Sequence, residues 1–112
     1  MKVLLDVGVS PRLRRPLREQ LGVVAVESAE LHNWGSLRDD ELLAAAKRGG
    51  FTAFVTTDKR MAAEQPHAPV AIIAVDHGTR AGLVAGAAGI AEAIRSTRPG
   101  EHRLVPIARV RR

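Results

Sequence analysis

The chain has 112 residues, 46% of them apolar and only 3% aromatic, so one domain spanning 1–112 with an aliphatic core of Val, Leu, Ile and Ala is expected. It contains no cysteine, which excludes disulfides, thiolate zinc sites and cysteine nucleophiles. The formal charge of +5 comes mostly from arginine and suits phosphate-rich partners, although many soluble proteins carry as much.

Val3-Leu4-Leu5 runs into Asp6, the pattern of a short buried strand over residues 2–6. Ser10-Pro11 then offers an N-cap and a first helical residue, and Leu13, Leu17 and Leu21 recur every four residues as a buried stripe. Pro16 falls inside this pattern, so an irregular, kinked first helix is expected, ended by Gly22. Val23 to Val26 reads as the second strand and residues 28–35, with His32-Asn33-Trp34-Gly35, as a loop. A second helix is expected over 37–48, its apolar face Leu42, Leu43 and Ala46, its end marked by Lys47-Arg48 and Gly49-Gly50. Ser36 and Asp39 resemble a capping box for it.

The third strand is expected over 53–57, where Phe54-Val55-Thr56-Thr57 runs into Asp58. Lys59 to Gln65 is a short helix stopped by Pro66, and Val70 to Val75 is the most apolar strand. Residues 79–96 read as one long Ala-rich helix in which Gly82, Gly86 and Gly89 either weaken the helix or allow close packing on the sheet. Pro99-Gly100 turns the chain into a fifth strand over Leu104 to Ile107, and Arg109 to Arg112 form a basic tail. Short apolar strands alternating with helices predict parallel strands buried on both faces, with right-handed crossovers: a three-layer α/β/α sandwich with a mainly parallel central sheet.

In such a sheet, ligands bind beyond the carboxyl ends of the strands. Asp6 and Asp58 are both expected there, and Asp39-Asp40-Glu41 at the start of the second helix can bring Glu41 or Asp40 to the same edge. Carboxylates so placed suit a hard cation such as Mg²⁺ or Mn²⁺, which activates water and stabilises a phosphodiester in transition. The same acids also suit a helix N-terminus, and Asp58 suits the cap of the helix after it. Thr56 and Thr57 can bond phosphate or orient Asp58, or simply fill a strand. Arg12, Arg14, Arg15 and Arg18 form a basic set around the first helix that either contacts phosphates or is a solvated face. Trp34 can stack on a base but is better read as a plug at the edge of the core. The histidines show no ligand spacing and are expected at the surface; no P-loop, dinucleotide fingerprint or nucleophile elbow is present.

At these positions the chain resembles a family of small bacterial PIN-like proteins, over nearly its whole length. The resemblance is carried by Met1-Lys2-Val3-Leu4-Leu5-Asp6, by Trp34-Gly35-Ser36-Leu37 through Glu41-Leu42-Leu43, by Val55-Thr56-Thr57-Asp58 and by Arg98-Pro99-Gly100-Glu101. It implies a Mg²⁺- or Mn²⁺-dependent ribonuclease, often the toxin of a toxin–antitoxin pair. It also implies Asp6, Glu41 and Asp58 as catalytic and metal-site acids, with Asp40 as substitute. Two positions depart from the family pattern. Val7-Gly8-Val9-Ser10 stands where relatives commonly have Glu-Asn and then Leu-Pro, and Arg60 stands where they often have Asp or Asn. Arg60 opposes a cation by like charge, or contacts substrate phosphate together with Thr56, Thr57, Arg12 and Arg15.

Two functions follow. One is a metal-dependent ribonuclease with RNA as substrate and an antitoxin-like protein as partner. The other is a PIN-like domain with a decayed site that binds RNA or protein; either is compatible with a homodimer. A phosphoacceptor receiver domain fits less well, because it lacks the acidic pair at the first strand end and a lysine after Val75. No signal-peptide pattern opens the sequence and no apolar run approaches the roughly 18 residues of a membrane span, so a cytoplasmic, soluble protein without a membrane partner is expected.

Overall fold

Every strand of the sheet runs in the same direction, and the chain orders them β2-β1-β3-β4-β5. The computed structural model describes residues 1–22, 25–76 and 80–107, with the side chain of Arg80 excepted. The elements are β1 (Lys2–Leu5), α1 (Arg14–Leu21), β2 (Ala25–Ser28), α2 (Asp39–Arg48), β3 (Ala53–Thr56), α3 (Lys59–Glu64), β4 (Ala71–Val75), α4 (Arg80–Ala85), α5 (Ala87–Ser96) and β5 (His102–Val105). Two 3₁₀ turns, Pro11–Leu13 and Ala29–His32, precede α1 and follow β2. The result is a three-layer α/β/α sandwich whose sheet is wholly rather than mainly parallel.

The period of two along each strand divides the core. Val3 and Leu5, Val55, and Ile73 and Val75 face a cluster with Leu13 and Leu17 beneath α1 and with Leu83, Ile90 and Ile94 of α4 and α5. Leu4, Phe54 and Ile72 face the other way, against Leu42, Leu43 and Ala46 of α2 and Met61 and Ala62 of α3. Both faces of β1, β3 and β4 are therefore dry, which is why these three strands read as continuous apolar runs. Each fully buried Leu or Phe side chain stabilises the fold by roughly 1.5–3 kcal/mol.

Several local expectations are corrected. The first helix is irregular at its entrance instead of kinked at Pro16. The chain enters as a 3₁₀ turn, and Pro16 becomes the third residue of α1, where backbone N–H groups have no intrahelical acceptor to lose. The second strand begins at Ala25; the expected Val23 and Val24 lie outside the described residues. Part of the expected loop 28–35 is a 3₁₀ turn capped by Ser28, whose hydroxyl accepts from the Glu30 N–H. Helix α2 starts at Asp39, later than expected, and its capping contact is not Ser36–Asp39. Glu41 reaches back instead, and its carboxylate accepts the Arg38 N–H at 3.1 Å.

The long helix over 79–96 is two helices. Gly86 sits between them in a non-helical conformation, although its N–H still donates to Gly82 and its carbonyl still accepts from Ile90. A Cβ at Gly86 would lie 3.0 Å from Ile107 Cδ1 and 3.2 Å from the Gly82 carbonyl oxygen, so the bare backbone lets the chain after β5 pack close. The fifth strand is earlier than expected, at His102–Val105, because pairing with β4 fixes it: Ile72 lies opposite His102 and Val75 opposite Val105. The basic tail Arg109 to Arg112 lies outside the described residues. Among the described residues, no helix is long and apolar enough to cross a membrane.

Candidate functional site

In the order β2-β1-β3-β4-β5, the chain crosses to one side of β1 to make β2 and to the other to make β3. The crevice outside the carboxyl ends of β1 and β3 is thus the topological switch point, where open parallel sheets bind ligands. Asp6 follows β1 directly and Asp58 lies two residues beyond β3, so both sequence-predicted aspartates stand at this one edge. The Asp6 N–H donates to the Val55 carbonyl at 2.9 Å, which extends the β1–β3 ladder to the aspartate.

Thr56 organises the pair. It is fully buried, the single polar residue so placed among the described residues. Its hydroxyl donates to Asp6 Oδ2 at 2.7 Å and accepts the Asp58 N–H at 3.0 Å. A buried hydroxyl needs such partners, since an unsatisfied one costs about 1–3 kcal/mol. Asp6 Oδ1 accepts the Val7 N–H at 2.8 Å, which fixes the second carboxylate oxygen. Thr57 faces the loop after β1: a Cβ at Gly8 would come 3.0 Å from Thr57 Oγ1. Gly8 therefore allows the β1 loop to close over the end of β3.

Asp58 is the N-cap of α3, its Oδ1 accepting the Arg60 N–H at 3.0 Å. Arg60 is an exposed residue in the first turn of that helix. The third acid near this edge is Asp39, the first residue of α2. Its carboxyl is held above the usual carboxylate range, first by burial and then by the negative charges of Asp58, Glu64, Asp6 and Asp40. Asp40 and Glu41 are exposed and engage Arg38. Both contact the Arg38 guanidinium, at 3.5 Å and 3.7 Å, and both line a shallow depression with Leu37, Ala44 and Arg48.

Asp39 was legible in the sequence only as a helix-dipole acid, because the phase of α2 against the sheet is not written in the local pattern. Asp76 is a further strand-end aspartate that the apolar run Val70 to Val75 signals directly. Its Oδ1 accepts the Ile107 N–H at 2.9 Å, which anchors the chain leaving β5.

The other candidates are spread around the molecule. Arg12 and Arg15 lie on the exposed side of the first helical segment and line a concavity of about 600 Å³ with Arg14 and Arg18. Trp34 is half-buried against the α2-side core, its ring 6.1 Å from that of Phe51, which is the plug expected for it. His32, expected at the surface, is half-buried: it stacks on Trp34 at 4.5 Å and pairs with Glu27.

The donor set at the edge is all oxygen, which suits a hard cation. Among the described residues, no group of three His, Cys, Asp or Glu side chains is spaced to hold a metal. Two carboxylates still fit Mg²⁺, which commonly takes one or two of them and completes its shell with water and substrate phosphate. Each oxygen of Asp6 already accepts one hydrogen bond and keeps a second lone pair for a ligand. No protein-family model, no curated protein and no solved structure matches this chain.

Proposed function

We propose that this chain is a metal-dependent nuclease of the PIN-like kind, acting on RNA at the edge formed by Asp6 and Asp58. The observation that carries the reading is the hydroxyl of Thr56, which ties the Asp6 carboxylate and the Asp58 backbone into one unit at the switch point. A divalent cation bound there supplies charge neutralisation on a phosphodiester and activates water. Asp6 and Asp58 would hold it; Thr56 and the Val7 N–H keep the Asp6 carboxylate in one orientation. Asp39 adds a third negative charge, and a cation relieves the repulsion that raises its carboxyl. An antitoxin-like partner accords with the resemblance in sequence. The test is calorimetric titration with Mn²⁺ on the wild type and Asp6→Asn, followed by fluorescent RNA with Mn²⁺, EDTA and Asp58→Asn as controls. Metal binding and cleavage lost in both variants support the nuclease; cleavage surviving in Asp58→Asn points to contamination.

A second reading is a binding module that keeps the fold and has lost the chemistry. What favours it is that both Asp6 oxygens and one oxygen of Asp58 serve local N–H and O–H donors, so each acid has a purely structural use. RNA binding with no cleavage in any metal would select this reading.

A further inference from the structure

A concavity of about 600 Å³ that includes neither Asp6 nor Asp58 runs along the outer side of α1. Pro11, Arg12, Arg14, Arg15, Arg18, Glu19 and Gly22 line it, four cations against one acid. A neighbouring hollow of about 300 Å³ shares Arg14 and Arg18 and continues to Ala25, Val26 and Glu27 of β2, an outer strand of the sheet. We infer that this continuous arginine-lined path is a binding track for the phosphate backbone of a single-stranded nucleic acid, read without regard to base.

The chemistry of the lining selects this partner. All four cations are arginines, whose planar guanidinium bonds phosphate through two parallel N–H groups and is weakly hydrated. Of the apolar residues of the same segment, Leu13 and Leu17 are fully buried and Leu21 is partly buried against the core, so they do not form an exposed apolar stripe for insertion into a lipid surface. Among the described residues, no aromatic side chain lines either hollow, which disfavours base stacking and leaves the backbone as the group recognised. Two contacts shape the track. The Arg14 Nε donates to the Val26 carbonyl at 3.2 Å, and Arg15 pairs with Glu19 one turn on at 3.4 Å. The eight residues of α1 span about 12 Å, long enough to meet more than one phosphate of an extended strand. Arg12 lies in the 3₁₀ turn Pro11–Leu13 that leads into α1.

This inference extends the nuclease reading, and its test is made in EDTA so that the two fail separately. The probe is a short fluorescein-labelled poly(U) strand bound to the whole chain, followed by anisotropy as salt is raised. Four phosphate contacts on a single strand give a slope of about −2.8 in log K against log salt, a loss of roughly 50-fold between 50 and 200 mM. Arg12→Ala/Arg15→Ala should lower that loss to roughly sevenfold, since two contacts remain. Both residues are exposed, and an unchanged melting temperature shows that the variant is folded. Arg12→Lys/Arg15→Lys should retain the salt slope while binding more weakly. An unchanged slope in the alanine variant overturns the proposal. So does equal binding of the wild type to anionic phosphatidylserine vesicles, or a strong preference for one base in poly(U), poly(A) and poly(C) strands.

Discussion

Thr56 Oγ1 lies 2.7 Å from Asp6 Oδ2, a hydrogen bond between the last residue of β3 and the residue after β1. The two are fifty positions apart in sequence, and only the parallel pairing of Leu5 with Val55 brings them together. The bond is short and charge-assisted, of the kind that is roughly twice as strong as a neutral one. It makes the orientation of the Asp6 carboxylate a property of the sheet itself.

Replacing that hydroxyl tests its weight. Thr56→Val keeps the shape of the buried side chain but leaves the Asp58 N–H without its acceptor and Asp6 Oδ2 without its donor. The expected cost is about 1–3 kcal/mol, seen as a lower urea midpoint at constant m-value. A stability equal to wild type would mean that water replaces both contacts.

Asp58 caps α3 and, under the proposed function, also holds a metal. As the N-cap of α3 it accepts the Arg60 N–H, and Asp58→Ala should cost about 1 kcal/mol for that reason alone. Asp58→Asn keeps a capping oxygen and loses the charge, so its stability should stay near wild type while Mn²⁺ binding falls. Thermal melts and calorimetry on the two variants separate cap from ligand. Mn²⁺ binding retained in Asp58→Asn would remove Asp58 from the metal site.

Asp39 gives the protein a pH signature. Its carboxyl is raised in the folded state above an ordinary value of 3.8, by burial first and then by neighbouring acids. The folded state therefore holds this proton more tightly than the unfolded chain does. Its contribution to stability is fully present below the ordinary value and is lost as pH rises through the raised one. In metal-free buffer, Asp39→Asn should gain stability relative to wild type across that window. A difference in melting temperature that does not change with pH would contradict the shift.

Arg60 stands in the first turn of α3, and under the proposed function its charge would oppose a cation at the Asp6–Asp58 edge. Because the residue is exposed, solvent screens the effect to the range of surface pairs, and Arg60→Asp should tighten Mn²⁺ binding by roughly two- to fivefold. Titration calorimetry in low salt reads this directly. Unchanged affinity would show that the guanidinium points away from the edge.

The sequence by itself determined the layers and the edge. Apolar runs of strand length, each broken by helical periodicity, are sufficient for a parallel sheet covered on both sides, and Val3 to Asp6 and Phe54 to Asp58 announce aspartates at strand ends. These signals are local, set by a period of two or of 3.6 residues, and so they survive without a structure. Tertiary packing decided the rest. Which acid of Asp39, Asp40 and Glu41 feels Asp6 and Asp58 depends on the rotation of α2 against the sheet, and Glu41 is drawn back to the Arg38 N–H by a cap that the Ser36–Asp39 spacing had assigned elsewhere. The break at Gly86 depends on the approach of Ile107, and the place of β5 on its register with β4. Thr56 reads as an ordinary strand threonine until Asp6 is brought within 2.7 Å of it, because a hydrogen bond across fifty residues leaves no mark in the local pattern of either segment.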